Sequence, residues 1–455
     1  MMRCYVVIVL VLGFSSLTAC GGASSGASNG AFAPSVPATS VRPLSDVVYN
    51  FGLPPDAEFP AAGLLAGKKG EYYGTSYGGR LGDGTVYEIT TAGQEKVLHN
   101  FQGTPDGAYP TSTLIMDNAG ALYGTTGEGG SGGGSSCAYD NGCGTVFKLT
   151  PGKRGWTESV LYDFQGGSQN DGVAPNGGLL MTKSGALFGT TGGGGGINGR
   201  GTVYKLTPSG STYRETILHT FTGPPDGIAP DDALVSDSSG NLYGTTVFGG
   251  LVARVHCPRR LHGCGTVFKL KPSGSTYTYS VIYRFKGGSS ADGVFPESGV
   301  LPGRHGVLYG LTTEGGAHSE GTAFELVPMG PHYREKLLHS FGGGGGDGAV
   351  PQDTPGLVAD RSGNLYGTTA AGGASGGYGT VFKLSPSGSG FTESVVYTFQ
   401  GYPSDGEHPY SGLIIDSKGN LLGPTFNGGS SGCGNQRGVR ALSTVGCGTI
   451  FSIAP

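Results

Sequence analysis

A seven-bladed β-propeller, all-β with four antiparallel strands per blade, is predicted by three features of the 455-residue sequence. Three short blocks each recur seven times, the repeats are 50 to 64 residues apart, and the two ends of the chain complete one another. Radial repetition at about this period, with β-like segments separated by turn signals, is the mark of a propeller.

The first block is Leu122-Tyr-Gly-Thr-Thr126, with copies at Leu187–Thr191, Leu242–Thr246, Leu308–Thr312 and Leu365–Thr369, and looser ones at 72–76 and Leu421–Thr425. The second is Gly144-Thr-Val-Phe-Lys-Leu149, which returns from Gly84, Gly201, Gly265, Gly321, Gly379 and Gly448. The third ends in Phe at 51, 101, 164, 221, 285, 341 and 399 and is followed by Asp-Gly-x-x-Pro, clearest as Asp106-Gly107 with Pro110. Within a repeat the order is an apolar inner strand such as 178–181, a Gly or Asn turn, the Thr-Thr strand, a Gly-rich loop, the Gly-Thr-Val strand, a Pro-Ser-Gly turn and a last strand such as 159–164. The turns 237–241 and 360–364 supply the Gly and Asn that tight hairpins need. Both middle strands are apolar on both faces, as stacked blades require, whereas the last strand alternates polar with apolar and reads as the half-exposed outer edge. The chain opens with an outer strand, Asp46 to Phe51, and closes with an inner one, Gly448 to Ile453, so the last blade is closed by the N-terminal strand.

The sequence holds 92 glycines and only 13% charged residues, yet also 23 Tyr and 20 Phe, more aromatic surface than a disordered chain carries. Net charge is −4 and the pI about 6.1, so no nucleic-acid partner is expected. Residues 1–19 place one Arg before a short apolar run and end at Leu17-Thr18-Ala19, just ahead of Cys20. This reads as a lipoprotein signal peptide with Cys20 the lipidated residue, followed through residue 45 by a Gly/Ser/Ala/Pro tether, the propeller then occupying 46–455. The expected localisation is exported and membrane-anchored, at the outer membrane or cell surface, with the lipid as the one contact to the membrane and the protein a monomer.

The three repeated blocks resemble the GloVer tandem-repeat family, whose members share their repeats and differ in how they are anchored to the envelope. The resemblance spans 46–455, and a lipoprotein anchor at Cys20 is among the options it implies. It implies no activity, ligand or cofactor for any position.

Six cysteines remain after Cys4 and Cys20, in three local pairs: Cys137 with Cys143, Cys257 with Cys264, and Cys433 with Cys447. Their loops, between the second and third strands, hold 17, 18 and 22 residues against 7 to 9 in the other blades. Disulfides that restrain long loops in an exported protein are expected, since two cysteines without clustered histidines fall short of a zinc site. Two residues before the Phe stands Tyr49, His99, Tyr162, His219, Tyr283, His339 or Tyr397, a slot for a flat ring with a polar edge. His256, His262, His305, His318, His332 and His408 fall in loops or turns without a role. The recurrent Asp106, Asp171, Asp226, Asp292, Asp347 and Asp405, with Asp56 in the first copy, belong on one face of the disc, either as turn residues or as a ring open to Ca²⁺ or sugar hydroxyls.

Function belongs where the repeats differ, and they differ most in the blade-four loop, where Arg254, His256, Arg259, Arg260 and His262 concentrate positive charge. Arg437 and Arg440 form a weaker counterpart in blade seven. No catalytic triad, metalloprotease or phosphate-loop pattern is present, and no cofactor is expected. The leading expectation is a non-catalytic binding or scaffold protein presenting its loops to a glycan or envelope protein. The alternative is a propeller enzyme, hydrolase, lyase or quinone-type, acting at the central channel.

Overall fold

In a computed structural model, residues 45–455 are described except for short internal stretches, chiefly 133–136, 138–140, 252–256, 258–262, 288–291, 353–355 and 434–445. Seven sheets follow one another along the chain, each ordered inner, second, third, outer. Blade two shows the plan with Ile115–Met116, Leu122–Thr126, Thr145–Gly152 and Gly155–Asp163, all antiparallel. The last blade joins Ile414–Ile415, Leu421–Thr425 and Thr449–Ile453 to Ser45–Asn50, with Ser45 opposite Ile453 and Asn50 opposite Thr449. The ring is therefore closed by the N-terminal strand as expected.

Each recurrent residue has a packing reason. The Gly of Leu-Tyr-Gly-Thr-Thr lies under the aromatic ring of the third strand; a Cβ on Gly74, Gly124, Gly189, Gly244 or Gly310 would overlap Tyr87, Phe147, Tyr204, Phe268 or Phe324. The final Thr, or Ser76, pairs its hydroxyl with the Thr of Gly-Thr-Val at 2.7 to 2.9 Å in all seven blades. These hydroxyls are buried, and an unpaired one would carry its full desolvation cost. The preceding Thr reaches across to the next blade: Thr75 donates to the Ser112 carbonyl, Thr125 to Gly177, Thr190 to Asp232 and Thr245 to Ser298. Blades five and seven, with Leu311 and Pro424 there, lack that hydroxyl.

The outer strands depart from simple alternation. Opposite Val146 and Phe147 the pairing skips from Tyr162 to Val160, leaving Leu161 as an extra residue. The same one-residue bulge falls at Val48, Leu98, Leu218, Ile282, Leu338 and Val396. It turns two successive residues toward the core, so the extra aliphatic side chain packs between blades beside the ring that follows it. The alternation read from the sequence holds only up to this bulge.

Candidate ligand-binding site

At the rim of the disc, the Tyr/His slot meets the Asp of Asp-Gly at every blade junction. Tyr49 donates to Asp56 at 3.0 Å, Tyr162 to Asp171 at 3.2 Å, Tyr283 to Asp292 at 3.3 Å and Tyr397 to Asp405 at 2.7 Å. His99, His219 and His339 place Nε2 3.1, 3.0 and 3.2 Å from Asp106, Asp226 and Asp347. Most of these carboxylates also accept loop amides, as Asp405 does from Gln400 at 2.8 Å and Gly406 at 2.7 Å. The Asp ring is thus occupied by architecture, which favours the turn reading over Ca²⁺.

A Glu from the next outer strand completes most of these stacks. Burial pushes Glu95 up to about 8 and Glu158 and Glu335 up to about 7, with the neighbouring Asp charge adding to it. Glu215 and Glu393 are raised for the same reasons. His339, Asp347 and Glu393 bring ligand-type atoms within 4.8 Å of one another. Because neighbouring junctions build the same stack with Tyr, that cluster also reads as architecture.

The three cysteine pairs are joined as disulfides, with Cα separations of 4.8, 5.4 and 5.2 Å. Their loops share a face with the Asp-Gly turns, because small ladders pair 107–108 with 128–129 and the equivalent segments in the other blades. Arg254, His256, Arg259, Arg260, His262, Arg437 and Arg440 lie outside the described residues, as does Cys20. A shallow open depression of about 390 Å³ beside Arg80, Leu81 and His99 lies on the outer side of blade one and gathers no converging set of ionisable groups.

A second set of positions, flanking the recurrent blocks, collects around the axis on the loop face. The residue before each Pro of Asp-Gly-x-x-Pro has φ of 54° to 59°: Phe59, Tyr109, Ala174, Ala229, Phe295, Val350 and His408. Left-handed backbone is costly for a side chain ahead of proline, so the surroundings must hold it. They do so through its amide, which donates to the preceding blade at 2.8 to 3.0 Å in every case. Its carbonyl accepts from the residue after Thr-Thr in its own blade, as Tyr109 does from Gly127 and His408 from Phe426.

The residue after that Pro is Ala61, Thr111, Asn176, Asp231, Glu297, Gln352 or Tyr410. The segments that carry it abut around the axis; a Cβ on Gly178 would sit 3.2 Å from Ala233 and 3.5 Å from the Thr113 carbonyl. Sizes are complementary between blades. A Cβ on Gly192 would strike Asp231 and one on Gly127 would crowd Asn176, while the bulky Phe426 and Tyr77 stand in that place where the following blade supplies Ala61 and Thr111.

The result is an uneven mouth. Blades seven, one and two contribute connected rings: Tyr109 to Tyr77 at 6.2 Å, Tyr77 to Phe426 at 5.9 Å, and Phe426 to Phe59 at 5.4 Å and Tyr410 at 5.7 Å, with His408 stacked on Tyr410 at 5.8 Å. Blades three to six contribute Asn176, Asp231, Glu297 and Gln352, the last donating to Glu297 at 2.7 Å. Burial pushes Asp231 up to about 6 against the Asn176 hydrogen bond, and Asp232 up to about 7 against amides from Ala233 and Gly299. Burial and then the Glu128 charge raise Tyr77 and Tyr109, and burial and then Glu407 raise Tyr410. Sequence reasoning missed this set, because its members are spread from Phe59 to Phe426 beside the conserved-looking blocks rather than in them. Aligning the seven repeats and asking which flanking positions exchange Gly or Ala for a ring would have found it.

No curated protein matches the chain at a significant level. Among solved structures it is similar to virginiamycin B lyase from Staphylococcus aureus, with TM-score 0.48 and 12% identity over 88% of this chain and 97% of that one. It is also similar to a gluconolactonase from Xanthomonas campestris, with TM-score 0.39 and 12% identity over 90% and 89%. Likeness at this level says nothing of activity. The sequence profile of the Gloeobacter/Verrucomicrobia repeat matches residues 134–351 and again 259–455, and with the recurrent blocks explained as one repeated blade, the chain belongs to the Gloeobacter/Verrucomicrobia repeat family.

Proposed function

We propose that the chain is a non-catalytic binding protein of the cell envelope, held to a membrane through a lipidated Cys20 and presenting the loop face of its propeller to a glycan or protein. One observation carries this reading. The polar groups that recur in every blade are engaged in bonds within and between blades, while blade-specific residues gather on one face around the axis. A site made of such residues is free to be specific because the fold does not depend on it.

The anchor is tested by Cys20→Ala, which should move the protein from the detergent phase to the soluble fraction or block its maturation. Unchanged partitioning would remove the lipoprotein reading. Ligand binding is tested by screening the soluble fragment 46–455 against arrayed glycans and envelope proteins, with at least one saturable partner expected.

The raised carboxyls of Asp231 and Asp232 favour a second reading, a propeller enzyme acting at the channel with these groups as proton donors. Turnover of a bound glycan that disappears in Asp231→Asn would support it over the first.

A further inference from the structure

We propose that the aromatic half of the mouth, Phe59, Tyr77, Tyr109, His408, Tyr410 and Phe426, is a binding site for an uncharged sugar chain. This rests on the binding-protein reading above and adds to it a place and a ligand class. All six side chains are half-buried, so each is fixed by neighbours yet keeps part of its ring open to solvent. The contacts Tyr109–Tyr77–Phe426–Tyr410–His408 run without a break across three blades.

The architecture does not require these rings. At the same positions blades three, four and six carry Ala174, Ala229 and Val350 before the Pro, while blade five has the buried Phe295, and blades two, three and six carry Gly127, Gly192 and Ala370 after the Thr-Thr. Several partly exposed rings grouped where small residues suffice mark a surface kept for a partner. The hydroxyls point the same way. Those of Tyr162, Tyr283 and Tyr397 at the rim each reach an Asp. Those of Tyr77, Tyr109 and Tyr410 have no hydrogen-bond partner among the described residues.

A pyranose presents apolar C–H faces and an equatorial fringe of hydroxyls. It matches rings with open faces and phenols that both donate and accept. The charge beside the rings selects among sugars. Glu128 and Asp83 act on Tyr109, Glu128 acts on Tyr77, and Glu407 acts on Tyr410. Among the described residues Asp83, Glu128 and Glu407 outnumber the one base of the arc, His408, a balance that disfavours uronate, sulfated and phosphorylated chains.

The test is calorimetric titration of the mature chain with a neutral β-linked glucose hexamer, an N-acetylglucosamine hexamer and, as the acidic comparator, a galacturonate hexamer. Tyr109→Ala, Phe59→Ala and Phe426→Ala each copy the residue another blade carries at that position, namely Ala174, Ala229 and Ala370, so the fold accommodates them; their melting temperatures verify this. At least one neutral hexamer should bind. Each single variant should weaken it on the order of tenfold, the triple variant should abolish it, and Tyr77→Phe should have a smaller effect. Neutral-hexamer binding that survives the triple variant would place the sugar elsewhere and overturn this site while leaving the binding-protein reading intact. Preference for the galacturonate hexamer, or binding of neither neutral hexamer by a chain that captures an envelope protein, would overturn the ligand class. A chain that binds nothing in the wider screen would defeat both.

Discussion

At the rim, the slot two residues before the core Phe holds only Tyr or His, and it faces Asp at each of the seven junctions. At the mouth, the position before the Pro holds Phe, Tyr, Ala, Val or His although its backbone is the same in every blade. The difference lies in what each side chain meets. The rim ring closes a hydrogen bond to a group already fixed by loop amides, so its chemistry is dictated. At the mouth the backbone makes the blade-to-blade bonds in every blade, with His408 adding one from its Nδ1 to the Ala370 carbonyl at 2.9 Å, and the other side chains are left open to selection for something outside the fold.

The strongest test of the architectural side is removal of residues 46–51. Phe51 is fully buried, and Val48 and Tyr49 pack with it against Tyr87 and Ile450. The bulge makes Val48, rather than Val47, the packed aliphatic side chain there. At about 1.5 to 3 kcal/mol for each large side chain fully buried, the deletion should lower stability by about 4 kcal/mol or more in thermal or urea unfolding. Removing 21–44, which spares Ser45 and its pairing with Ile453, should leave the melting temperature within a degree or two. If both deletions melted alike, closure by the N-terminal strand would contribute nothing.

Next in size is a direct exchange between the two regions. Asp405→Ala removes the carboxylate shared by the Tyr397 hydroxyl and two loop amides and should cost about 2 to 4 kcal/mol. Tyr109→Ala should cost under about 1 kcal/mol, because its residue type is not needed for the backbone bonds. Equal losses would erase the distinction between rim and mouth.

A smaller effect comes with pH. Glu95, Glu158 and Glu335 are held at about 8, 7 and 7, above the about 4.3 of an unfolded Glu, so the folded state binds more protons than the unfolded one across this interval. Their contribution is fully present below about pH 4.3 and is lost as pH rises through 7 to 8. Asp226 and Asp347 work the other way: burial raises them, but the bonds from His219 and His339 prevail and hold them low, so their share is lost only in strong acid. The melting temperature should therefore be higher near pH 5 than near pH 9, and Glu95→Gln, which mimics the neutral acid, should narrow that gap. A melting temperature that rises between pH 5 and 9 would contradict the buried-glutamate account.

Most of the ring was legible because its determinants repeat. Seven copies of Gly-Thr at the head of the third strand disclose a position where only glycine fits, as Gly144 shows with φ of 97° and the Pro175 ring against it. The swap of Tyr for His at 99, 219 and 339 disclosed a ring slot, but not that each polar edge reaches Asp. The bulges escaped notice because an extra Leu inside an apolar strand looks like ordinary strand composition. The mouth escaped for the opposite reason, since Phe59, Tyr109 and Phe426 follow no repeat and meet only when the ring closes. In the blade-four loop the disulfide Cys257–Cys264 is described, whereas Arg254, Arg259 and Arg260 are not.

The pairing of Ser45 with Ile453 also sets an order of events during synthesis. The strand that leaves the ribosome first waits for the one that leaves last, and bringing together ends roughly 400 residues apart carries an entropic cost of about 5 kcal/mol that adjacent blades never face. A chain cut short anywhere before its final strand keeps an unpaired sheet edge at both termini, and such edges invite aggregation and proteolysis. The shared blade thus acts as a proofreading device, because only a chain that reaches Ile453 covers both edges.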